Sequence, residues 1–336
     1  MSTVMSSTRS GHSSRGVAAA PHGGESGLGR SRVSEIQRAR MLRAMAEVAA
    51  HEGAQNASVA RVVARSGVSR RTFYDLFEDR EDCFLAAFED ALRRVSERVR
   101  PAYKGSGRWQ ARVRAALLEI LQFIEDEPDQ GRVLIVESLV AGPCAVRRRV
   151  EVIALLVDAV REGASETRPA YGQPALSAEG VVGAVLSVIH ARLLPGQAGA
   201  PSSLLNPLMG MIVLPYLGPA AARRESEQPL PAPSRRSPTP RGDPLRDLDM
   251  RLTYRTVRVL VAIAAHPGAS NRRVAEQAGI ADQGQISKLL LRLQNLGLIH
   301  NGGEGPARGE PNAWSLTPRG QEVERTIREQ TPHPPA

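Results

Sequence analysis

Lysine is almost missing from this chain: of 44 basic residues in 336, all but Lys104 and Lys288 are arginine. That bias fits genome base composition, and arginine also forks bidentately onto guanine and phosphate. Cysteine is nearly as scarce. Cys83 and Cys144 stand alone without metal-ligand spacing, which excludes a disulfide framework and fits a reducing cytoplasm. Aromatic residues make up 4% of the chain, too few to name a ligand. No uninterrupted apolar run has the length of a membrane span, because residues 181–194 are broken by His190 and Arg192. The N-terminus has no signal-peptide apolar core. Enzyme constellations are lacking too: no glycine-rich phosphate loop follows a strand, no serine sits in a nucleophile elbow, and the seven histidines show no H-x-x-x-H pairing. Glu125, Asp126, Glu127 and Asp129 gather at a helix end, where a solvated acidic cap is the expectation rather than a metal site. No catalytic residue, metal or cofactor is expected.

What is present is charge and helical periodicity. A net charge of +9 and a pI near 10.4 suit a polyanionic partner, although solubility alone also accounts for them. The length allows two or three domains. Residues 1–33 hold almost no large apolar side chains, so a disordered tail is expected. Its Arg9, Arg15, Arg30 and Arg32 read either as a basic arm or as a solvated tail. Ser34 and Gln37 form a capping box. The helix behind them carries Met41, Leu42, Met45, Val48 and Ala49 on one face and stops before Gly53.

Residues 58–77, SVARVVARSGVSRRTFYDLF, organise the rest. Ser58 caps a short helix with Val59, Val62 and Val63 at helical spacing. Gly67 sits where a sharp turn needs positive φ. Val68 plugs the corner and Ser69 caps a second helix, on which Phe73 and Phe77 share one face with Leu76 beside them. Arg70, Arg71, Thr72 and Tyr74 point the other way, as a helix-turn-helix meeting phosphates and base edges would require. Ser58, Ser69 and Arg80 complete the expected contact set.

From Ile36 to Phe88 the chain resembles the DNA-binding domain of the tetracycline-repressor (TetR) family. The likeness rests on Glu52-Gly53, Gly67-Val68-Ser69, Thr72-Phe73-Tyr74, Phe77, and the acidic-rich 78–82 leading into Phe84. Val63 departs from the small residue the family favours there. The resemblance implies a head at 34–79 and a helical ligand-binding and dimerisation body at 80–219.

The body reads as helices over about 79–100, 109–127, 132–140, 144–163, 178–194 (capped by Ser177) and 203–216, with no strand alternation. Trp109, Phe123-Ile124 before Glu127-Pro128, and the run from Val213 through Pro215-Tyr216 to Gly218-Pro219 resemble the regulatory domain of one large group in the same family. The resemblance implies a pocket for an unknown small-molecule effector. Leu117, Leu121, Ile124, Leu134 and Val136 are candidate walls, and His190 is the polar group to test, although core packing is the commoner role of such residues. It also implies a homodimer. An apolar surplus on the last two helices (Val181, Val182, Val185, Val188, Ile189; Leu204, Leu205, Leu208, Ile212, Val213) suits a four-helix interface.

Residues 220–246 turn proline- and arginine-rich, as an interdomain linker would. Residues 247–328 then read as an independent small α+β domain, followed by a disordered tail at 329–336. Within it, Val257, Leu260, Val261 and Ile263 mark one helix, and Ser270 caps the next. Gly279-Ile280 repeats the Gly67-Val68 corner. Asp282 caps a helix with Ile286, Leu289, Leu290, Leu293 and Leu296 inward, closed by Gly297. Two short strands flank a Gly/Pro-rich loop bearing Arg308, and Thr317-Pro318 starts a last helix. This arrangement is similar to MarR-type winged-helix domains. The likeness implies a reading helix presenting Gln283, Gln285, Ser287 and Lys288 to a groove, with Arg308 at the wing tip.

The expected protein is an all-α, TetR-type head and body followed by a linker and winged helix. It would be a cytoplasmic homodimeric regulator, by family norm a repressor, binding double-stranded DNA and no membrane. The competing reading is an architectural or interaction protein without a ligand, whose winged helix recruits a protein partner.

Overall fold

Apolar residues at three- and four-residue spacing fold the first two-thirds of the chain into helices. The computed structural model describes residues 24–166, 177–196, 199–230, 253–303 and 311–329. Nine helices lead the described chain: α1 (Gly24–Glu52), α2 (Val59–Ser66), α3 (Arg70–Leu76), α4 (Arg80–Tyr103), α5 (Trp109–Asp126), α6 (Pro128–Ile135), α7 (Pro143–Glu166), α8 (Ser177–Leu193) and α9 (Leu205–Ser226). Single 3-10 turns at Glu137–Leu139 and Pro201–Leu204 join α6 to α7 and precede α9. The rest is α10 (Tyr254–Ala265), α11 (Asn271–Ala278), α12 (Gln283–Asn295), β1 (Ile299–Asn301), β2 (Trp314–Leu316) and α13 (Pro318–Glu329).

The apolar side chains sort into three cores. In the head, Met41, Met45, Val48 and Ala49 of α1 meet Val62, Val68, Phe73, Phe77, Phe84 and Phe88. Val133 of α6 and Ala145 of α7 enter the same cluster, so head and body share packing rather than meeting at a polar seam. In the body, α5 packs against α7 and α9, and α8 against those two, around Trp109, Leu117, Leu121 and Ile124. The Trp109 indole donates to the Ala159 carbonyl at 2.9 Å, and its ring lies 5.2 Å from that of Tyr216. Trp109 and Tyr216, far apart in the sequence, therefore touch.

The third core belongs to the C-terminal unit. Strands β1 and β2 pair antiparallel, with Ile299 opposite Leu316 and Asn301 opposite Trp314, and Ala269 bridges Trp314 from the far side. Val257, Leu260, Ile263, Val274, Ile286, Leu290, Leu293 and Val323 close over this sheet.

Several sequence expectations need correction. Helix α1 begins at Gly24, not at the Ser34 capping box: the chain is already helical there, so Ser34 caps nothing. Helix α6 starts at Pro128, because proline at a first helical position fixes φ without losing a needed donor. The body does not end at 219. Gly218, at φ 77° and ψ 179°, breaks α9, and Pro219 starts a second arm that turns back until Ser226 lies against Gly210. Glu225 on that arm is 1% exposed and ion-pairs with Arg114 at 2.7 Å, so the linker cannot begin at 220.

The surplus assigned to a dimer seam is largely spent inside the protomer: Val181, Val182, Val185, Ile189, Leu204, Leu205, Leu208, Ile212 and Val213 are all buried in the body core. What α8 leaves exposed is Glu179, which pairs with Arg161, and the small residues Gly180, Gly183, Ala184, Ser187 and Ala191. Among the described residues, one stretch, Pro201–Ser226, has the length and composition to cross a membrane. It is bent at Gly218 and largely buried against α5 and α8. Nor is the C-terminal unit independent, since Ile36 of α1 sits in its core. Residues 1–23, the expected linker from 231 onward and Arg308 lie outside the described residues.

Candidate nucleic-acid interface

The geometry of α2 and α3 follows from their caps. The Ser58 hydroxyl accepts from the Arg61 N–H at 3.3 Å, and Ser69 accepts from the Thr72 N–H at 3.1 Å while pairing with the Thr72 hydroxyl at 2.8 Å. Each such cap is worth about 1 kcal/mol. Gly67 turns the corner at φ 64°, in the left-handed region, and its N–H closes onto the Val63 carbonyl at 3.1 Å. Phe73 is fully buried, its ring tilted against that of Phe77 at 5.4 Å, and the Phe77 ring also lies under the Arg38 guanidinium.

That anchoring fixes what α3 shows to solvent. Arg70 and Arg71 are exposed, and neither has an acidic or hydrogen-bonded partner among the described residues. Tyr74 is 55% exposed, held edge-on by the Phe73 ring. Thr72 is half-buried at the same edge. Two unpaired guanidiniums and a phenol thus project from a short helix whose other face is locked in a core, while the Thr72 hydroxyl is engaged by Ser69. Other nearby arginines are committed: Arg61 pairs with Glu52 at 2.9 Å and Arg65 with Glu47 at 2.6 Å.

Arg80 corrects an expectation. Its guanidinium donates to the carbonyls of Ala54 at 3.0 Å and Gln55 at 3.2 Å, so it braces the α1–α2 loop instead of reaching outward. Ser58 and Ser69 likewise serve first as caps.

A second, similar corner lies at α11–α12. Gly279 (φ 59°) ends α11, and the Asp282 carboxylate caps α12 by accepting from the N–H of Gly284 at 2.8 Å and of Gln285 at 3.1 Å. Those backbone bonds, Gln285 first, hold the Asp282 carboxyl below its ordinary pKa. Its capping contribution is therefore full above the unfolded pKa and fades as pH falls through the folded one. Gln283 and Lys288 are exposed, and the Lys288 charge acts on the Asp282 carboxylate. Gln285 is exposed but accepts from Arg255 at 2.6 Å, and Ser287 donates back to the Gln283 carbonyl at 2.9 Å. The base of the hairpin is pinned through side-chain amides. Asn271 accepts from the Trp314 indole at 2.6 Å and from Asn312 at 3.0 Å, and Asn301 donates to Asn312 at 2.8 Å.

In the body, Leu117, Leu121 and Ile124 are buried together with residues of α7, α8 and α9, while His190 is half-buried on α8. An open cleft of about 350 Å³ lies elsewhere, between α1, α4 and α6, lined by Arg38, Leu42, Arg43, Asp90, Arg93 and Gln130 among others. Sequence reasoning missed the group that joins body to head. Arg132 of α6 donates to the Ala50 carbonyl at 2.9 Å, to the Leu193 carbonyl at the end of α8, and to Glu137 at 3.3 Å. Glu137, 5% exposed, accepts in turn from the Ala54 N–H at 2.8 Å. An arginine five residues before a glutamate, in an otherwise apolar stretch, was the available signal. Among the described residues, no group of three or more His, Cys, Asp or Glu side chains is placed to hold a metal ion.

No curated protein matches the chain in sequence. Solved structures that resemble it include the fatty acid degradation regulator FadR from Bacillus halodurans, at 16% identity over 53% of this chain and 94% of that one, with a TM-score of 0.47. FadR from Bacillus subtilis, in complex with stearoyl-CoA, is 17% identical over 54% and 98%, also at 0.47. The ketosteroid transcriptional regulator KstR2 of Mycobacterium tuberculosis is 16% identical over 52% and 92%, at 0.41. Residues 41–87 match the family model of bacterial regulatory proteins of the tetR family. That span takes in the α1 core face, the Gly67 corner, α3 and the start of α4, so this stretch of the chain matches the N-terminal domain of that family.

Proposed function

We propose that this protein is a homodimeric transcription regulator that reads a palindromic operator with α3 and responds to a small effector in the helical body. The observation that carries the reading is the state of α3: Arg70, Arg71 and Tyr74 stand free on the outer face of a helix whose inner face is fixed by Phe73. TetR-family regulators are typically ligand-modulated repressors. In this chain, repression released by ligand follows if the effector favours the body conformation with the heads wrongly spaced. The Arg132–Glu137 group, bonded to both the α8 end and the head loop, would transmit that change. An effector between α5, α7, α8 and α9 would have to displace packing around Leu117, Leu121 and Ile124, and His190 remains the polar side chain to probe.

The C-terminal unit reads as a winged helix whose α12 and wing meet DNA flanking the half-site. Gln283 and Lys288 are its available reading groups, and Arg308, which falls between β1 and β2 in the sequence, would be its contact to phosphate or the minor groove. A two-fold dimer through α8 and α9 would bring two heads to half-sites one helical turn, about 34 Å, or a multiple apart.

The test is a shift assay on a site selected from genomic fragments, with excess competitor DNA. Arg71→Ala and Tyr74→Ala are each expected to lose about 1–3 kcal/mol of operator affinity. Unchanged binding by both would remove α3 from the interface. Equal binding to the selected site and bulk DNA would favour a non-specific architectural role.

A further inference from the structure

The C-terminal unit is built around a residue it does not own. Ile36, near the start of α1, is 1% exposed and belongs to the same buried cluster as Val257, Leu260, Ile263 and Leu290. The rest of α1 serves the head: Met41, Met45 and Ala49 are buried in a separate core with Phe73 and Phe77. One continuous helix thus supplies apolar side chains to both units.

Helix α10 shows the complementary pattern. Thr256, Val257, Val259, Leu260, Ala262 and Ile263 are all buried, an arc much wider than the single stripe a helix needs against one partner. The arc is wide because α10 has partners on several sides: α11, α13 and β2 within its own unit, and α1 of the head. The sequence carries the same sign, since residues 259–265 (VLVAIAA) are apolar without interruption.

We infer that the α1–α10 contact is a docking surface that holds the two helix-turn-helix corners of one chain at a fixed separation, so that the protein measures the spacing between an operator half-site and its flanking element. The inference rests on the proposed reading of both modules as DNA-binding. A unit joined only by a linker of some twenty residues would sample a range of positions and raise flank binding merely through effective concentration. Such a tether would tolerate inserted base pairs. A unit locked through Ile36 cannot, because each inserted pair moves the flank by about 3.4 Å and turns it about the duplex axis.

The test uses the full chain on a selected operator and on versions with 2, 5 and 10 base pairs inserted between half-site and flank. The variants are Ile36→Asp, which puts a carboxylate into the apolar contact, Ile36→Val, which preserves it, and Gln283→Ala/Lys288→Ala, which removes the flank-reading groups. Hydrogen exchange of α10 and of the head reports docking and folding independently of DNA. The unmodified chain and Ile36→Val are expected to lose about tenfold in affinity, the share of one good base contact, at 2 and 5 inserted pairs. Ile36→Asp should expose α10 amides, keep the head protected, and bind all spacings alike.

If the unmodified chain keeps its flank footprint and affinity across the insertions, the lock is disproved while both modules still read DNA. If Gln283→Ala/Lys288→Ala leaves footprint and affinity unchanged on the uninterrupted site, the C-terminal unit does not read DNA. The spacing inference then falls together with that reading. If Ile36→Asp leaves α10 exchange unaltered, the docking surface itself is refuted.

Discussion

Single side chains decide which arginines are available. Arginine is so common here that its presence says little, and what separates Arg71 from Arg65 or Arg80 is the absence of a neighbouring acceptor. The outward exposure of Arg70, Arg71 and Tyr74 was legible in the sequence because Phe73 and Phe77, four apart, fix the opposite face. Arg80 was not, because its partners are backbone carbonyls of a loop 25 and 26 residues earlier, which no local pattern announces. The two cysteines divide in the same way. Burial first, then the Asp82 charge, push the Cys83 thiol up to about 12 against the opposing pull of Arg38, so it stays protonated at any physiological pH. Cys144 is exposed. Iodoacetamide should therefore label Cys144 alone in the native protein and reach Cys83 only after denaturation, as peptide mass spectrometry would show. Native labelling of Cys83 would mean that the head core opens.

For whole elements, periodicity and caps carried most of the information. Ser58, Ser69, Ser270 and Asp282 each cap the helix their position predicts, and β1, β2 and α13 fall within a residue or two of expectation. Where the reading failed, a long-range contact had overridden a local stop signal. Pro219 looks like the end of the body, yet the arm beyond it is held by the buried Glu225. The valines and leucines of α8 and α9 looked surplus because the sequence does not say how many helices surround them. A further element-scale prediction concerns α13. A Cβ at Gly320 would lie 1.9 Å from the Leu298 carbonyl oxygen, a backbone atom that cannot rotate aside. Gly320→Ala should destabilise the C-terminal unit by about 3 kcal/mol, the upper range for overpacking. Hydrogen exchange should show faster exchange across α12, β1 and α13 with the Phe73 core unchanged. Uniform loss of protection would point instead to stronger coupling through Ile36.

Across the molecule, the order of head, body and C-terminal unit was readable from composition and motif, but their joints were not. Those joints include Val133 and Ala145 between head and body, Ile36 between head and C-terminal unit, and Arg132 with Glu137 among α1, α6 and α8. Removing one member of a buried ion pair strands the other, so Glu137→Ala should cost roughly 3 kcal/mol, measurable by urea denaturation. If effector signals pass this way, Arg132→Met should keep operator binding but blunt its response to ligand, and an unaltered response would exclude the route.

The reversal at Gly218 matters for where the chain leaves the body. The returning arm is moored by Glu225 to Arg114, with Gln228 and Asn206 tying off the same knot. The described chain thereby leaves the body from beside α5, and not from the far end of α9. Cutting that mooring would free the whole of the returning arm from the body.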